Sequence, residues 1–294
     1  MLAVFRKELA DHLASKRFYI FFILVLAAAI FATYIATQTI RGMLTEDTEF
    51  IFIIIFTASG EAMPFSFLFF LVFFIPIISI ALGFDAINSE RNSGNLSRLL
   101  SQPVYRDAII NGKFLAGLAV LAIIVVSIIA IVAGLGLRII GVPPAGEEVL
   151  RLVGFALISI VYGASWMALA ILFSTLFKSA TTSMLASIGL WVFFFFFMSL
   201  IAGSVTKDPA LQAMIMRIAP STLYGEATST LLMPELDPMT ASMLRTATGR
   251  LPTPLPFSQS LLLVWPQLVS IIALAAICFA VSYIRFMREE VRAT

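Results

Sequence analysis

The chain is poor in the residues that carry most protein chemistry. It has one cysteine, Cys278, and one histidine, His12, in 294 residues. A lone cysteine inside an apolar run excludes a disulfide framework and a cysteine metal site. A serine hydrolase within the membrane needs a histidine beside its nucleophile, and His12 lies near the N-terminus, away from every apolar run. There is no His-Glu-x-x-His zinc pair and no pair of aspartates at the ends of apolar runs. Charge is scarce too: 12% of residues are charged and the net charge is +2, too little for nucleic acid.

What is present is hydrocarbon. Hydrophobic residues make up 60% of the chain, and the mean hydropathy is +1.01. A soluble domain of this length has no interior large enough to hide that surface, so lipid is the solvent for most of it. Windows of about 20 apolar residues cross the roughly 30 Å of bilayer hydrocarbon. Six occur, near Phe18–Ile40, Pro64–Phe84, Phe114–Ile140, Leu150–Leu176, Thr181–Gly203 and Leu261–Ile284. The first lacks the short apolar region and cleavage site of a signal peptide and is expected to stay as an anchor. Lipid satisfies no open backbone groups, so the spans must be helices.

Lysine and arginine set the orientation. With the N-terminus inside, Arg6, Lys7, Lys16, Arg17, Arg91, Arg98, Arg106, Lys113, Lys178, Arg285, Arg288 and Arg292 fall on short inner segments. Arg41, Arg138, Arg151, Lys207, Arg217, Arg245 and Arg250 are spread thinly over longer outer ones. That density difference predicts a multi-pass plasma-membrane protein with both termini cytoplasmic.

In the first seventeen residues, Leu2, Phe5, Leu9 and Leu13 share one helical face. Lys7, Glu8, Asp11 and Ser15 take the opposite arc, and Arg6, Lys16 and Arg17 flank the stripe. This is the pattern of a helix lying in the interface with its cations reaching for headgroups, and a disordered basic leader has no need of it. The run Phe50–Thr57 is too short to cross and reads as a re-entrant or interfacial piece. Phe173–Thr181 is a short inner connection with Lys178 at its tip. In the outer stretch Ser204–Ser260, Asp208-Pro209 starts a helix reaching Arg217, and Ser221 caps a second to about Leu232. These short helices are expected on the outer membrane surface.

The cores of the spans hold no Asp, Glu, Lys or Arg, which lowers the class of proton- or sodium-coupled transporters. Ser127, Ser159, Ser165 and Ser199 read as hydroxyls bonded to their own helix or a neighbour. Gly112-Lys113 looks like the end of a P-loop, but Asp107 replaces its first glycine and Phe114 its magnesium-binding hydroxyl. ATP chemistry therefore has to come from another polypeptide. Met214, Met216, Met233, Met239 and Met243 are irregularly spaced and without Cys or His partners, so they read as packing rather than a copper site. Phe193–Phe197 places five aromatics all round one helix, facing lipid and neighbours alike.

The polar insert Asp85–Lys113 stands apart. The second span can continue as a polar helix through Ala86, Ile87 and Glu90 before a turn at Ser93-Gly94. Asn95 can cap a short helix on which Leu96, Leu99 and Leu100 share a face. Pro103 ends it, and Arg106 and Lys113 precede the third span. On spacing alone, a structural inner loop and a docking lever are equally good readings.

A resemblance separates them. Glu90-Arg91-x-x-Gly94-x-Leu96-x-x-Leu99-Leu100-Ser101-x-Pro103, followed by Arg106 and Gly112-Lys113, resembles the signature of ABC-2-type transporter permeases. The likeness is to the group holding the nitrous-oxide-reductase maturation subunit and the sodium-export permeases. It runs over the whole chain, including Arg217-Ile218-Ala219-Pro220 and the basic C-terminus; Asn95 stands where the family commonly has Thr.

The resemblance implies a single all-α membrane domain over residues 1–294, with six transmembrane helices, an N-terminal elbow helix and short outer helices before the last span. Two permeases, expected as a homodimer, would pair with two copies of a cytoplasmic ATPase that binds ATP and Mg. This chain itself would hold no cofactor or metal and would have no catalytic residue. The ATPase would dock on Glu90, Arg91, Gly94, Leu96, Leu99, Leu100, Pro103 and Arg106, with a smaller contact at Phe177, Lys178 and Ser179. Leu2, Phe5, Leu9 and Leu13 would seat the elbow helix in lipid. Spans two and five would line the dimer interface, and spans two and three would relay motion outward. Three other readings stay on the table: mechanical signalling without bulk transport, a stand-alone secondary transporter or channel, and a membrane scaffold or enzyme subunit.

Overall fold

Backbone groups in hydrocarbon can bond only one another, and the chain meets that condition with helices. The computed structural model describes residues 1–43, 51–57, 66–92, 105–141, 143–232 and 255–288, among which no strand occurs. The helices are α1 (Leu2–Ala14), α2 (Lys16–Met43), α3 (Ile51–Thr57), α4 (Phe67–Gly83), α5 (Asn88–Asn92), α6 (Arg106–Ile140), α7 (Gly146–Leu176), α8 (Ala180–Val192), α9 (Met198–Val205), α10 (Pro209–Met216), α11 (Pro220–Leu232) and α12 (Phe257–Arg288).

Among the described residues, six helical stretches are long and apolar enough to cross a membrane. They are α2, α4 with α5, α6, α7, α8 with α9, and α12. Each contains most of one apolar window, but several extend past it: α6 starts at Arg106 rather than Phe114, and α7 at Gly146 rather than Leu150. Hydropathy marks where lipid begins, whereas the backbone goes on bonding i to i−4 until a cap or a special dihedral stops it. The stop for α6 is Gly141, in the left-handed region at φ 77°. The second span does not run on as one polar helix. A turn over 84–87 separates α4 from α5.

Burial ranks the spans. In the most apolar window of α7, 67% of residues are buried, against 22% for α2 and 17% for α12. So α7 is the axis, and the poorly buried helices show their apolar faces to lipid. Glycines permit the closest approaches to that axis. A Cβ on Gly83 would lie 3.0 Å from the Ala170 Cβ, and one on Gly117 would lie 2.7 Å from the Met167 sulfur.

At the end of the bundle away from the N-terminus, α3 is sunk among α2, α4, α6 and α7. Phe52, Ile53, Ile55 and Phe56 are buried, and Phe56 meets Phe67 edge-on at 5.4 Å. For α10 the expected cap is present, with the Asp208 side chain accepting from Ala210 N and Pro209 opening the helix. The helix α11 does not lie on the surface. Its face of Pro220, Ser221, Tyr224, Ala227, Thr228 and Leu231 is buried, and Tyr224 stacks on Tyr162 of α7 at 4.3 Å. Small residues around one aromatic let this segment enter the bundle where a charged surface helix could not.

The phenylalanine run is a π-helical turn, Phe193–Phe197, between α8 and α9. The widened turn turns Phe195 toward Phe73, at 5.4 Å, and leaves Phe193, Phe196 and Phe197 exposed.

Candidate functional site

The site is the root of the polar insert, where α1, α4, α5, α6 and α7 meet. A Cβ on Gly112 would lie 2.9 Å from Val4 Cγ1 and 3.4 Å from the Phe5 nitrogen, so its missing side chain is what lets α1 lie across α6. The next residue, Lys113, is buried. Its Nζ stands 2.9 Å from Glu8 Oε1 and 3.0 Å from Glu90 Oε1. Buried ions persist only when paired, and here one ammonium serves carboxylates from two other helices. Burial pushes the Glu8 carboxyl up, but the Lys113 and Lys7 ammonium groups outweigh it and hold the group below the usual range. Glu8 belongs to the arc that the helical wheel assigned to water; in the fold that arc turns inward and meets Lys113 of α6.

A second pair sits alongside. Arg17 Nη1, in the first turn of α2, donates to Asp85 Oδ2 at 2.7 Å, and its guanidinium lies 5.1 Å from the Phe84 ring centre. Between α1 and the turn after α4 lies a cavity of about 150 Å³ lined by Glu8, Asp11, His12, Asp85, Glu90 and Lys113 among others. Burial holds the His12 imidazole below its ordinary pKa, against the pull of Glu8.

The end of α7 closes the root from the other side. Ser174 Oγ accepts from the backbone N–H of Ile87 at 3.0 Å and of Asn88 at 3.2 Å. Asn88 is fully buried. With its amide nitrogen turned toward α7, it donates to the carbonyls of Ser174 and Phe177. The two inner segments singled out from sequence, around Glu90 and around Phe177, are therefore tied together through Asn88.

The other sequence-derived site residues distribute as follows. Arg91 and Arg106 are half-buried, Phe177 is half-buried, and Lys178 and Ser179 are exposed at the tip of the turn. Phe5, Leu9 and Leu13 are half-buried, while Leu2 is exposed. Gly94, Leu96, Leu99, Leu100 and Pro103 lie outside the described residues. On α10, Met214 is exposed and Met216 half-buried, and Met233, Met239 and Met243 are likewise outside the described residues.

Sequence reasoning missed a polar cluster at the opposite end. Arg151, counted from sequence as an outer-segment cation, is fully buried. Its Nη1 donates to the Leu231 carbonyl at 2.6 Å and to Ser260 Oγ at 3.2 Å. Its Nη2 donates to Glu147 Oε1 at 2.7 Å and also to the Leu255 carbonyl. Glu147 further accepts from Phe257 N at 3.0 Å. Glu148 accepts from Phe52 N at 3.0 Å and from Ala145 N at 2.8 Å, capping α3 and α7 together. The readable signal was Glu147-Glu148-x-x-Arg151 at the edge of an apolar run, an i,i+4 pair with a second acid beside it.

Among the described residues, no group of three His, Cys, Asp or Glu could hold a metal ion. Over nearly its whole length, residues 2–291, the chain matches the ABC-2 family of transporter proteins. It is also 30% identical over 164 residues to the probable ABC transporter permease protein NosY of Pseudomonas aeruginosa. The aligned stretch takes in 52% of this chain and 58% of that protein, less than two thirds of the relative's length.

Proposed function

This chain belongs to the ABC-2 family of transporter proteins, and from that premise we propose that it is the permease subunit of an ATP-driven exporter. It is a multi-pass membrane protein whose own role is not ATP hydrolysis. A separate cytoplasmic ATPase, in two copies, binds ATP and Mg and docks on two permease copies with cytoplasmic termini. The insert between α5 and α6 is the coupling element, with Leu96, Leu99 and Leu100 as its apolar face; Glu90, Arg91, Gly94, Pro103 and Arg106 frame it. Phe177, Lys178 and Ser179 form the smaller second contact.

One observation carries this reading. Lys113 joins Glu8 of α1 to Glu90 of α5, and Asn88 joins the same root to Phe177. A loop meant only to connect two spans needs no such anchoring, whereas a loop that receives force must not swivel at its base. The helix α1, held against α6 at Gly112, is the elbow that supports it.

Replacing Leu96, Leu99 and Leu100 together with Asp tests the proposal. The variant is expected to reach the membrane, lose ATPase co-purification and lose any stimulation of ATP hydrolysis. Unchanged co-purification and stimulation would overturn the docking assignment. Mechanical signalling without bulk transport uses the same parts, and vesicles showing ATP-dependent solute movement separate export from it.

A further inference from the structure

We propose that α7 is the member that carries movement from the loop root to the opposite face of the bundle, in place of the second and third spans. The inference rests on the permease reading above and names the element that reading leaves open.

Both ends of α7 are held by directional polar bonds. At the root, Ser174 Oγ accepts from Ile87 N and Asn88 N, and Asn88 returns bonds to the carbonyls of Ser174 and Phe177. At the far end, Glu148 holds the first amides of α3. Glu147 holds the first amide of α12, and Arg151 holds the last turn of α11 and Ser260. From Glu148 to Ser174 the helix rises ~39 Å at about 1.5 Å per residue, the scale of a bilayer.

Between these ends α7 is continuous and tightly gripped. A Cβ on Gly163 would lie 2.8 Å from Ser79 Oγ of α4, and Gly83 brings α4 against Ala170. The hydroxyls of Ser159, Ser165 and Thr175 bond to carbonyls of α7 itself, while Ser159 also meets the Tyr224 hydroxyl of α11 and Tyr162 donates to the Val72 carbonyl of α4, so the grip along the helix is directional as well as close. The neighbouring routes are less suited to transmit a push. Pro76 interrupts the bonding of α4 and Pro266 that of α12. The fifth span is broken by its π-helical turn. The helix α6 is unbroken, but near its far end Gly136 meets α3 through the apolar side chains of Ile55 and Phe52. Apolar contacts are non-directional, while hydrogen bonds demand a narrow distance and angle and so fix axial register.

The test is hydrogen–deuterium exchange on the complex of this chain with its ATPase in lipid nanodiscs, with and without a non-hydrolysable ATP analogue and Mg. In the native complex, nucleotide is expected to change exchange in residues 84–92 and at the amides of Phe52, Ile53 and Phe257. In Ser174→Ala the nucleotide response at those far amides is expected to be lost, and Ser174→Thr, which restores a hydroxyl, to regain it. In Glu147→Leu/Arg151→Met, which removes the acceptor of Phe257 N and leaves Glu148 in place, the response in residues 84–92, at Phe52 and Ile53 and in the ATPase rate is expected to persist while that at Phe257 is lost. The Ser174 variants alter nothing near the far amides, so they decide the matter even if the buried-arginine variant fails to fold. A far response that survives in Ser174→Ala overturns the role of α7. Absence of any response in residues 84–92 of the native complex overturns the permease reading itself.

Discussion

Lys113 Nζ lies 2.9 Å from Glu8 and 3.0 Å from Glu90, so one buried ammonium fastens α1 and α5 to the start of α6. Removing that ammonium takes from Glu8 and Glu90 the one partner they share, with Lys7 still 3.1 Å from Glu8. Lys113→Met is expected to cost about 3–5 kcal/mol, as for breaking a buried pair on one side. The triple change Glu8→Gln/Glu90→Gln/Lys113→Met is expected to cost clearly less, because no charge remains to be buried. Chemical unfolding of the two variants in detergent, analysed as a cycle with the single changes, measures the difference.

Acid should release α1 in two stages. The Glu8 carboxyl is held below its usual range, so its contribution is complete above the unfolded pKa near 4.5 and is lost as pH falls through the lower folded value. For His12, burial favours the neutral ring. Its contribution is complete above 6.5 and is lost as pH falls below that value, when the unfolded chain binds the proton more readily. Glu8, Asp11, Asp85 and Lys113 face the same cavity, and their opposed charges moderate the His12 effect without reversing it. The mobility of a spin label at Ala10, an exposed position of α1, should rise in both ranges, and His12→Ala should abolish the stage nearer neutrality alone.

Gly112 should tolerate no larger side chain. The position that a Cβ would take is already 2.9 Å from Val4 and 3.4 Å from the backbone of Phe5, so Gly112→Leu has to lift α1 off α6. Overpacking of this kind typically costs about 1–3 kcal/mol. The readout is cysteine labelling of Leu9→Cys, a half-buried position of α1 packed against the core, in a Cys278→Ser background. That position is protected beside Gly112 and is expected to label rapidly beside Leu.

At the stacked tyrosines, hydroxyl and ring are separable. Ser159 Oγ lies 2.7 Å from Tyr224 Oη and also donates to its own helix at Phe155 O. Tyr224→Phe therefore leaves Ser159 satisfied and should cost only about 0.5–1.5 kcal/mol. Tyr224→Ala removes the ring stacked on Tyr162 and should cost about 3–5 kcal/mol. Unfolding midpoints of the purified chain rank the two, and equal losses would contradict the packing role of the ring.

Much of this architecture was legible in advance. The six spans follow from runs of apolar residues long enough to cross lipid, and the cap at Asp208-Pro209 follows from local backbone chemistry. The root of the insert was half legible. Glu90, Arg106 and Lys113 were marked by charge beside apolar runs, but Glu8 was placed on a watery arc because a wheel sees one helix at a time. Arg151 was misplaced for a similar reason. Its neighbours Leu231, Leu255 and Ser260 come from distant sequence, and a window of hydropathy reads an arginine at a span boundary as solvent-facing.

By itself, then, the sequence determined the solvent of this protein, its helical class, the number of its spans and the polar character of the insert. Those properties depend on transfer free energies and backbone bonding, which are summed along neighbouring residues. Only the tertiary structure decided that α3 and α11 enter the bundle and that Lys113 gathers Glu8 with Glu90. It also decided that α7 holds polar partners at both ends. Buried charges and amides are stable only beside partners that arrive from far along the chain, so that pairing is a property of the packed fold.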